Sequence, residues 1–325
     1  MNLFLTCRRM ICAGFTVALL AGVAYADQPP GIPRIGVLMP PVTSMEEGLR
    51  QGLRELGYIE GKSIVIEWRR STGTQEELRL LAADLIRSGV DLIVTAGTSA
   101  TRVAMETTTT VPVLFHVGDP VASGFAASLA RPGGNGTGVS VISAELTAKR
   151  LELLHLLIPR AKRIVYLRNP SNPAAQQLLD EVQKAARILG LRLETLDARN
   201  IPEIDAALDT LRRSAANGCL VGGDLLYLAE KARISRAIGE NRMPAVFAYR
   251  EFHEDGALMS YGPSLKATMR SVAPYVDKIL KGAKPADLPI DQISKFQLVI
   301  DLRVARELGL KVPQELLFRA DEVIR

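Results

Sequence analysis

The sequence predicts an α/β protein made of two units in series, each a parallel sheet covered by helices on both faces. Three observations carry this. Short apolar runs alternate with amphipathic stretches along most of the chain. The apolar runs lack the period-two alternation of a half-exposed sheet, so both faces of each strand are buried. Beyond Gly138 the series starts again with the same order and a similar length.

Taken in order, "PRIGVLM" (33–39) predicts a buried strand and "SMEEGLRQGLRELG" (44–57) a helix stopped by its last glycine. "SIVIEWR" (63–69) is a strand, and "TQEELRLLAADLIRSG" (74–89) a helix with Thr74 as cap and Glu77 three residues on, a capping box. "VDLIVTAG" (90–97) is the next strand, "TSATRVAMETT" (98–108) opens a helix, and "VPVLFHVG" (111–118) is a further strand. "VASGFAASLA" (121–130) predicts a helix, and "PGGNGTG" (132–138) follows it. Those glycines have neither a Gly-Lys-Ser/Thr ending nor the spacing of a dinucleotide loop. They read as a permissive turn, not a phosphate cradle.

The second unit opens with helix "AELTAKRLELLHLLIP" (144–159) and strand "KRIVYLRNP" (162–170). Helix "NPAAQQLLDEVQKAARILG" (172–190) and strand "LRLETLDA" (191–198) come next. Then follow "IPEIDAALDTLRR" (201–213), "NGCLVGG" (217–223), "LLYLAEKARISRAIG" (225–239) and "MPAVFAY" (243–249). The remaining "GALMSYGPSLKATMRSVAPYVDKILKGAKPADLPI" (256–290) adds one strand and one long helix. Periodicity leaves open whether this tail extends the second sheet or completes the first.

The N-terminus has its own logic. Arg8 and Arg9 precede the apolar run "ICAGFTVALLAGVAYA" (11–26), which ends in an Ala-x-Ala pattern at Ala24 and Ala26. A basic start, an apolar centre and a small-x-small end define a secretory signal peptide, with cleavage expected after Ala26. Cys7 and Cys12 leave with it, so Cys219 is alone and no internal disulfide is expected. The 325 residues, 47% hydrophobic and 23% charged, suit one large domain or two smaller ones. The net charge of +5 is scattered, without the basic clusters that nucleic-acid recognition requires.

In parallel α/β sheets ligands sit at the carboxyl ends of strands, where helix N-termini offer free N–H groups. "MPPVTS" places Thr43 and Ser44 at one such end, and "TAGTSA" places Thr98 and Ser99 at another. Paired hydroxyls there suit a carboxylate, or serve as ordinary helix caps. Asp119 follows the strand "VPVLFHVG" and is placed to take an ammonium or hydroxyl group, or to cap a helix starting near Val121. Enzyme chemistry has little support. His116, His155 and His253 show no metal-ligand spacing, Asp224 lacks a companion acid, and no G-x-S-x-G elbow is present.

"GLRQGLRELGYIEGKSIVIEWR", "LAADLIRSGVDLIVTAGTSA", "DPVASGFAASLARPGGNGTGVS" and "KRLELLHLLIP" together resemble the ABC-transporter substrate-binding family labelled tryptophan/tyrosine transport-like. "YREFHEDGALMSYGP" and "YVDKILKGAKPADLPIDQISKFQLVIDLRVARELGL" extend the likeness almost to Arg325. The resemblance implies a type I periplasmic binding fold, two Rossmann-like lobes with parallel sheets joined by a three-crossover hinge. It places residues 27–141 and 262–285 in the first lobe and 142–261 and 286–325 in the second, with "GALMSYG" returning the chain to the first. Helix Ser264–Lys281 is then expected on the first lobe.

By the same resemblance the first lobe offers Thr43, Ser44, Thr98, Ser99, Asp119 and Ser140 to a ligand. The second offers Asn169, Asp224, Tyr249 and Glu251. Pro170 and Pro173 stiffen the loop of Asn169, whose amide both donates and accepts. Tyr249 either stacks on an aromatic ligand or is a core tyrosine. The implied function is periplasmic capture of an amino acid or aromatic carboxylate for an inner-membrane permease with its cytoplasmic ATPase. The protein would act as a monomer, without cofactor, metal, nucleic acid or catalysis. The alternative of the same fold is a sensing module for a membrane receptor.

Overall fold

A computed structural model of the protein describes residues 31–71, 74–141, 144–172 and 174–325. The predicted leader lies outside them. Residues Ile32–Arg325 form one compact unit.

The first series of elements is β1 (Arg34–Met39), α1 (Thr43–Glu55), β2 (Val65–Arg70), α2 (Gln75–Arg87), β3 (Leu92–Ala96), α3 (Thr98–Thr107), β4 (Val113–Val117) and β5 (Gly136–Val141). Thr74 caps α2 as expected: its side chain accepts from the Glu77 N–H at 3.3 Å. The chain then passes to α4 (Ala144–Leu157), β6 (Arg163–Arg168), α5 (Ala175–Ile188), β7 (Arg192–Asp197), α6 (Ile201–Arg213) and β8 (Gly218–Val221). Next come α7 (Leu225–Ala229), α8 (Lys231–Glu240), β9 (Ala245–Phe247), a 3-10 turn (Arg250–Asp255) and β10 (Met259–Gly262). The chain ends with α9 (Leu265–Arg270), α10 (Ala273–Leu280), β11 (Asp291–Ile293), β12 (Gln297–Asp301), α11 (Leu302–Glu307), α12 (Gln314–Arg319) and β13 (Glu322–Ile324).

The strands form a 6-stranded sheet, ordered β11-β5-β4-β3-β1-β2, and a 7-stranded sheet, ordered β13-β12-β10-β9-β8-β6-β7. All pairs in the first are parallel. In the second, β10 and β12 alone run antiparallel. Strands β3, β4, β5 and β8 are buried at every residue, which explains why they lack charged residues and period-two alternation.

The placement of the tail differs from expectation in two respects. "GALMSYG" does not return the chain to the first lobe: Met259 and Ser260 pair with Val246 and Phe247, so β10 belongs to the second sheet. The helices after it make the return. The last crossing also comes later than Ala286, because Asp291–Ile293 pairs with Val139–Val141 at the edge of the first sheet. The hydroxyl of Tyr275 secures this strand, donating to Pro289 O at 2.7 Å and accepting from the Asp291 N–H at 3.1 Å.

The single helix expected over Ser264–Lys281 is two, α9 and α10. Pro274 lies in the first turn of α10, where its missing N–H costs nothing but where an α9 continuing through it would lose a hydrogen bond. Both helices pack on α1 through glycines. A β-carbon on Gly48 would stand 2.2 Å from Lys266 O, and one on Gly52 2.5 Å from Arg270 O. Only hydrogen fits there. Residues 121–130 are not helical either. Gly124 takes φ +75°, and Phe125, 5% exposed, turns into the core on a bond from its N–H to Pro120 O.

Candidate ligand cleft

The carboxyl ends of both sheets meet around one cavity. Its wall includes Met39 and Pro40 after β1, Ala96 and Gly97 after β3, and Val117 and Gly118 at β4. From the second lobe come Asn169 after β6, Gly223 and Asp224 after β8, and Tyr249 after β9. This is the place where a parallel sheet offers helix N-termini to a ligand.

On the first lobe, Gly97 carries the turn from β3 into α3. Its φ of 91° and ψ of 150° lie in a region essentially reserved for glycine. Thr98 and Ser99 are the first residues of α3, and the helix has no side-chain cap. Their hydroxyls therefore do not cap α3, and both residues line the cavity. His116 also lines it, with Nε2 2.9 Å from Thr268 Oγ1. Thr268 spends its own proton on Leu265 O, so Nε2 is the donor to it. Burial pushes the His116 pKa down to about 4 and keeps the ring neutral.

On the second lobe, Asp224 caps α7 by accepting from the Leu226 N–H at 2.9 Å. Its other oxygen takes Asn172 Nδ2 at 2.8 Å and, more distantly, Asn169 Nδ2 at 3.4 Å. Each asparagine turns its own carbonyl oxygen back on its loop, to the N–H of Ser171 and of Ala174. Among the described residues no cation pairs with Asp224. Arg150, on α4, is 3% exposed and lines the same cavity. Its Nε donates to Tyr261 O at 2.7 Å, and it too has no ion pair among the described residues. A β-carbon on Gly223 would lie 3.6 Å from Arg150 Nη1, and one on Gly262 3.5 Å from Nη2, so the guanidinium lies beside both glycines. Burial lowers its pKa, against the pull of Tyr249, Tyr166 and Tyr261. An arginine keeps its charge through any such shift.

Of the sequence-based candidates, Thr98, Ser99, Asn169, Asp224 and Tyr249 line the cavity. The other five lie elsewhere. Thr43 is exposed to solvent. Ser44 and Glu251 bond to each other at 2.6 Å. Asp119 caps its own turn through the Val121 and Ala122 N–H groups. Ser140 donates to Gly118 O at 2.7 Å. Tyr249 is half-buried, and burial pushes its phenol pKa up.

Arg150, Asn172 and His116 are among the polar cavity residues that the sequence reading does not assign to a ligand. Arg150 did carry a signal. Leu146, Leu151, Leu153, Leu154 and Leu157 are the buried leucines of α4, and position 150 falls on that stripe, where an apolar residue is wanted. A charge there is either paired inside the protein or reserved for something else.

A chain with two α/β lobes, and a cavity at the facing strand ends that holds one buried cation and one carboxylate, is a binding protein of the type I periplasmic class. This chain belongs to the ABC transporter substrate binding protein family, whose profile matches residues 37–324. It is similar to a tyrosine-binding protein of Clostridioides difficile, 23% identical over 84% of this chain and 78% of that one. Among solved structures it is similar to the ABC domain from Streptococcus pneumoniae in complex with L-Trp. That pair is 27% identical with a TM-score of 0.83, covering 90% of this chain and 100% of that one. A conserved domain protein from Vibrio cholerae has the same fold at 24% identity and a TM-score of 0.84, over 90% and 100% of the two chains. Among the described residues no helix is long and apolar enough to cross a membrane, and no cluster of side chains is placed to hold a metal.

Proposed function

We propose that the protein binds an α-amino acid with an aromatic side chain in this cleft. It would deliver that ligand, as a monomer in the periplasm, to an ABC permease and its ATPase. The observation that carries this is the pair Arg150 and Asp224. Two opposite charges line one cavity, and neither is neutralised by the chain among the described residues. A buried guanidinium without a counter-charge is costly, and a ligand carboxylate would supply one. Asp224 retains lone pairs beyond those given to Leu226 and Asn172, which suit an ammonium. A zwitterion satisfies both.

The remaining wall suits an aromatic body. Leu78, Leu146, Leu178, Leu225 and Leu226 supply apolar surface, and Tyr249 supplies a ring for stacking. Thr98 and Ser99, with the N-terminus of α3, add donors from the opposite lobe. The tyrosine- and tryptophan-binding relatives support the same ligand class. Nothing in the wall asks for bond making, so the ligand is expected to leave unchanged.

Calorimetric titration of refolded protein tests the reading with L-tyrosine and L-tryptophan beside their counterparts lacking the carboxylate or the amine. Tight binding of the amino acids and at least about 100-fold weaker binding of both truncated sets is expected, given 1.5–3 kcal/mol for each charged hydrogen bond. Equal affinity for the amine alone would remove Arg150 from its role.

A further inference from the structure

Ser44 and Glu251 lie 207 positions apart in sequence and in different lobes, yet Ser44 Oγ donates to Glu251 Oε1 at 2.6 Å. Neither residue lines the cavity. Ser44 is in the first turn of α1, a 13-residue helix whose N-cap position is Val42 and which has no side-chain cap from its own lobe. Glu251 belongs to the 3-10 turn after β9, two residues beyond Tyr249 of the cavity wall. The second oxygen, Oε2, is buried and has no hydrogen-bond partner among the described residues.

We infer that this pair is a latch that sets ligand affinity without touching ligand. The inference rests on the cleft reading above only in taking closure to trap the ligand. A carboxylate with one oxygen buried is costly unless something offsets it. Here the offset comes from across the cleft, as a hydroxyl proton and the positive end of an uncapped helix. Separating the lobes loses both, so the pair stabilises the closed state over the open one. A ligand that binds the closed state gains whatever that bias contributes. Release slows, while capture by the open form is untouched.

The test uses Ser44→Ala, Glu251→Ala, their double variant and Ser44→Thr, in otherwise intact mature protein. L-tyrosine and L-tryptophan serve as probes in calorimetry and stopped flow. Each single alanine variant is expected to raise Kd about tenfold through faster release, with the on-rate unchanged within about twofold. The double variant should be no worse than either single one, and Ser44→Thr should retain most of the affinity. Spin labels at Arg54→Cys and Asp180→Cys, one on each lobe, report opening in the absence of any probe. The alanine variants should shift that distance distribution toward longer separations. Wild-type Kd values, additive losses in the double variant, or an unmoved distance distribution would each overturn the latch. Failure of both amino acids to bind the wild-type protein would instead overturn the ligand assignment, and the label distances would still decide the latch.

Discussion

The side chain of Leu225, on the second lobe, lies directly against Gly97 on the first. A β-carbon on Gly97 would stand 3.1 Å from Leu225 Cδ1. Glycine is needed there twice, once for its dihedral angles and once for the approach of the other lobe. Gly97→Ala is expected to cost about 1–3 kcal/mol of stability from backbone strain. Ligand affinity should fall further than that strain explains, because the added methyl also opposes closure. Melting curves beside calorimetry check it; intact affinity in a folded variant would remove the cross-lobe part of the argument.

Arg150→Met replaces a buried cation by an apolar side chain of similar length. Binding of L-tyrosine should fall by at least about 100-fold, since a charged hydrogen bond is worth about 1.5–3 kcal/mol and the guanidinium offers two or more. The ligand-free protein should melt no lower than wild type, because an uncompensated buried charge has been removed. A large loss of ligand-free stability would show that Arg150 serves the fold through Tyr261 and not the ligand.

Asp224→Asn should weaken amino acids while leaving their amine-free acids almost unaffected. The cap on Leu226 survives in the amide oxygen, but the new NH2 faces Asn172 Nδ2, which loses its acceptor, so a stability loss of about 1–2 kcal/mol is expected in both the ligand-free and ligand-bound protein. Equal losses for both ligand sets would place the defect in the loop of Asn169 and Asn172.

Stability should decline on mild acidification. Burial holds His116 and His253 at about 4, against the ordinary 6.5 that each regains on unfolding. Between these values the unfolded chain binds more protons, so stability is full above about pH 6.5 and is lost as pH falls through about 4. Urea unfolding from pH 7.5 to 4.5 measures the slope. His116→Gln should flatten it, and an unchanged slope would assign the effect to other groups.

Gly48→Ala should be among the most damaging of small changes. Its methyl would meet Lys266 O at 2.2 Å, and the loss should reach about 3 kcal/mol despite alanine's better helix propensity. Gly239 in α8 faces open space, and Gly239→Ala should instead stabilise by about 0.5–1 kcal/mol. Urea midpoints of the two variants should move in opposite directions.

The apolar runs are sufficient to locate most of the strands, because a strand buried on two faces stays apolar along its length. They fail at the tail. β10 and β11 are four and three residues long, and which edge each joins depends on partners distant in sequence. The helix expected over 121–130 fails for a local reason: Gly124 and the burial of Phe125 favour a turn that propensity alone does not reveal. In the cleft, residues at strand ends such as Thr98, Asn169 and Asp224 are legible because topology puts them there. Arg150 is harder to read, since it enters from the middle of a helix and not from a strand end, and only its place on the stripe of buried leucines in α4 betrays it. Ser44 and Glu251 both read from the sequence as ligand contacts; the structure pairs them with one another.

The late arrival of β11 has a consequence for biosynthesis. The first sheet carries β5 at its edge until residues 291–293 exist, and α1 lacks its glycine-packed cover until α9 and α10 follow β10. The second sheet in turn waits for β12 and β13, the last strands of the chain. Neither lobe can therefore finish folding while the ribosome is still adding the other. The strands that complete the two sheets, β11 in the first and β12 and β13 in the second, fall in one late stretch, residues 291–324, so both lobes reach their final packing together. Two lobes in shape, it is a single unit in time.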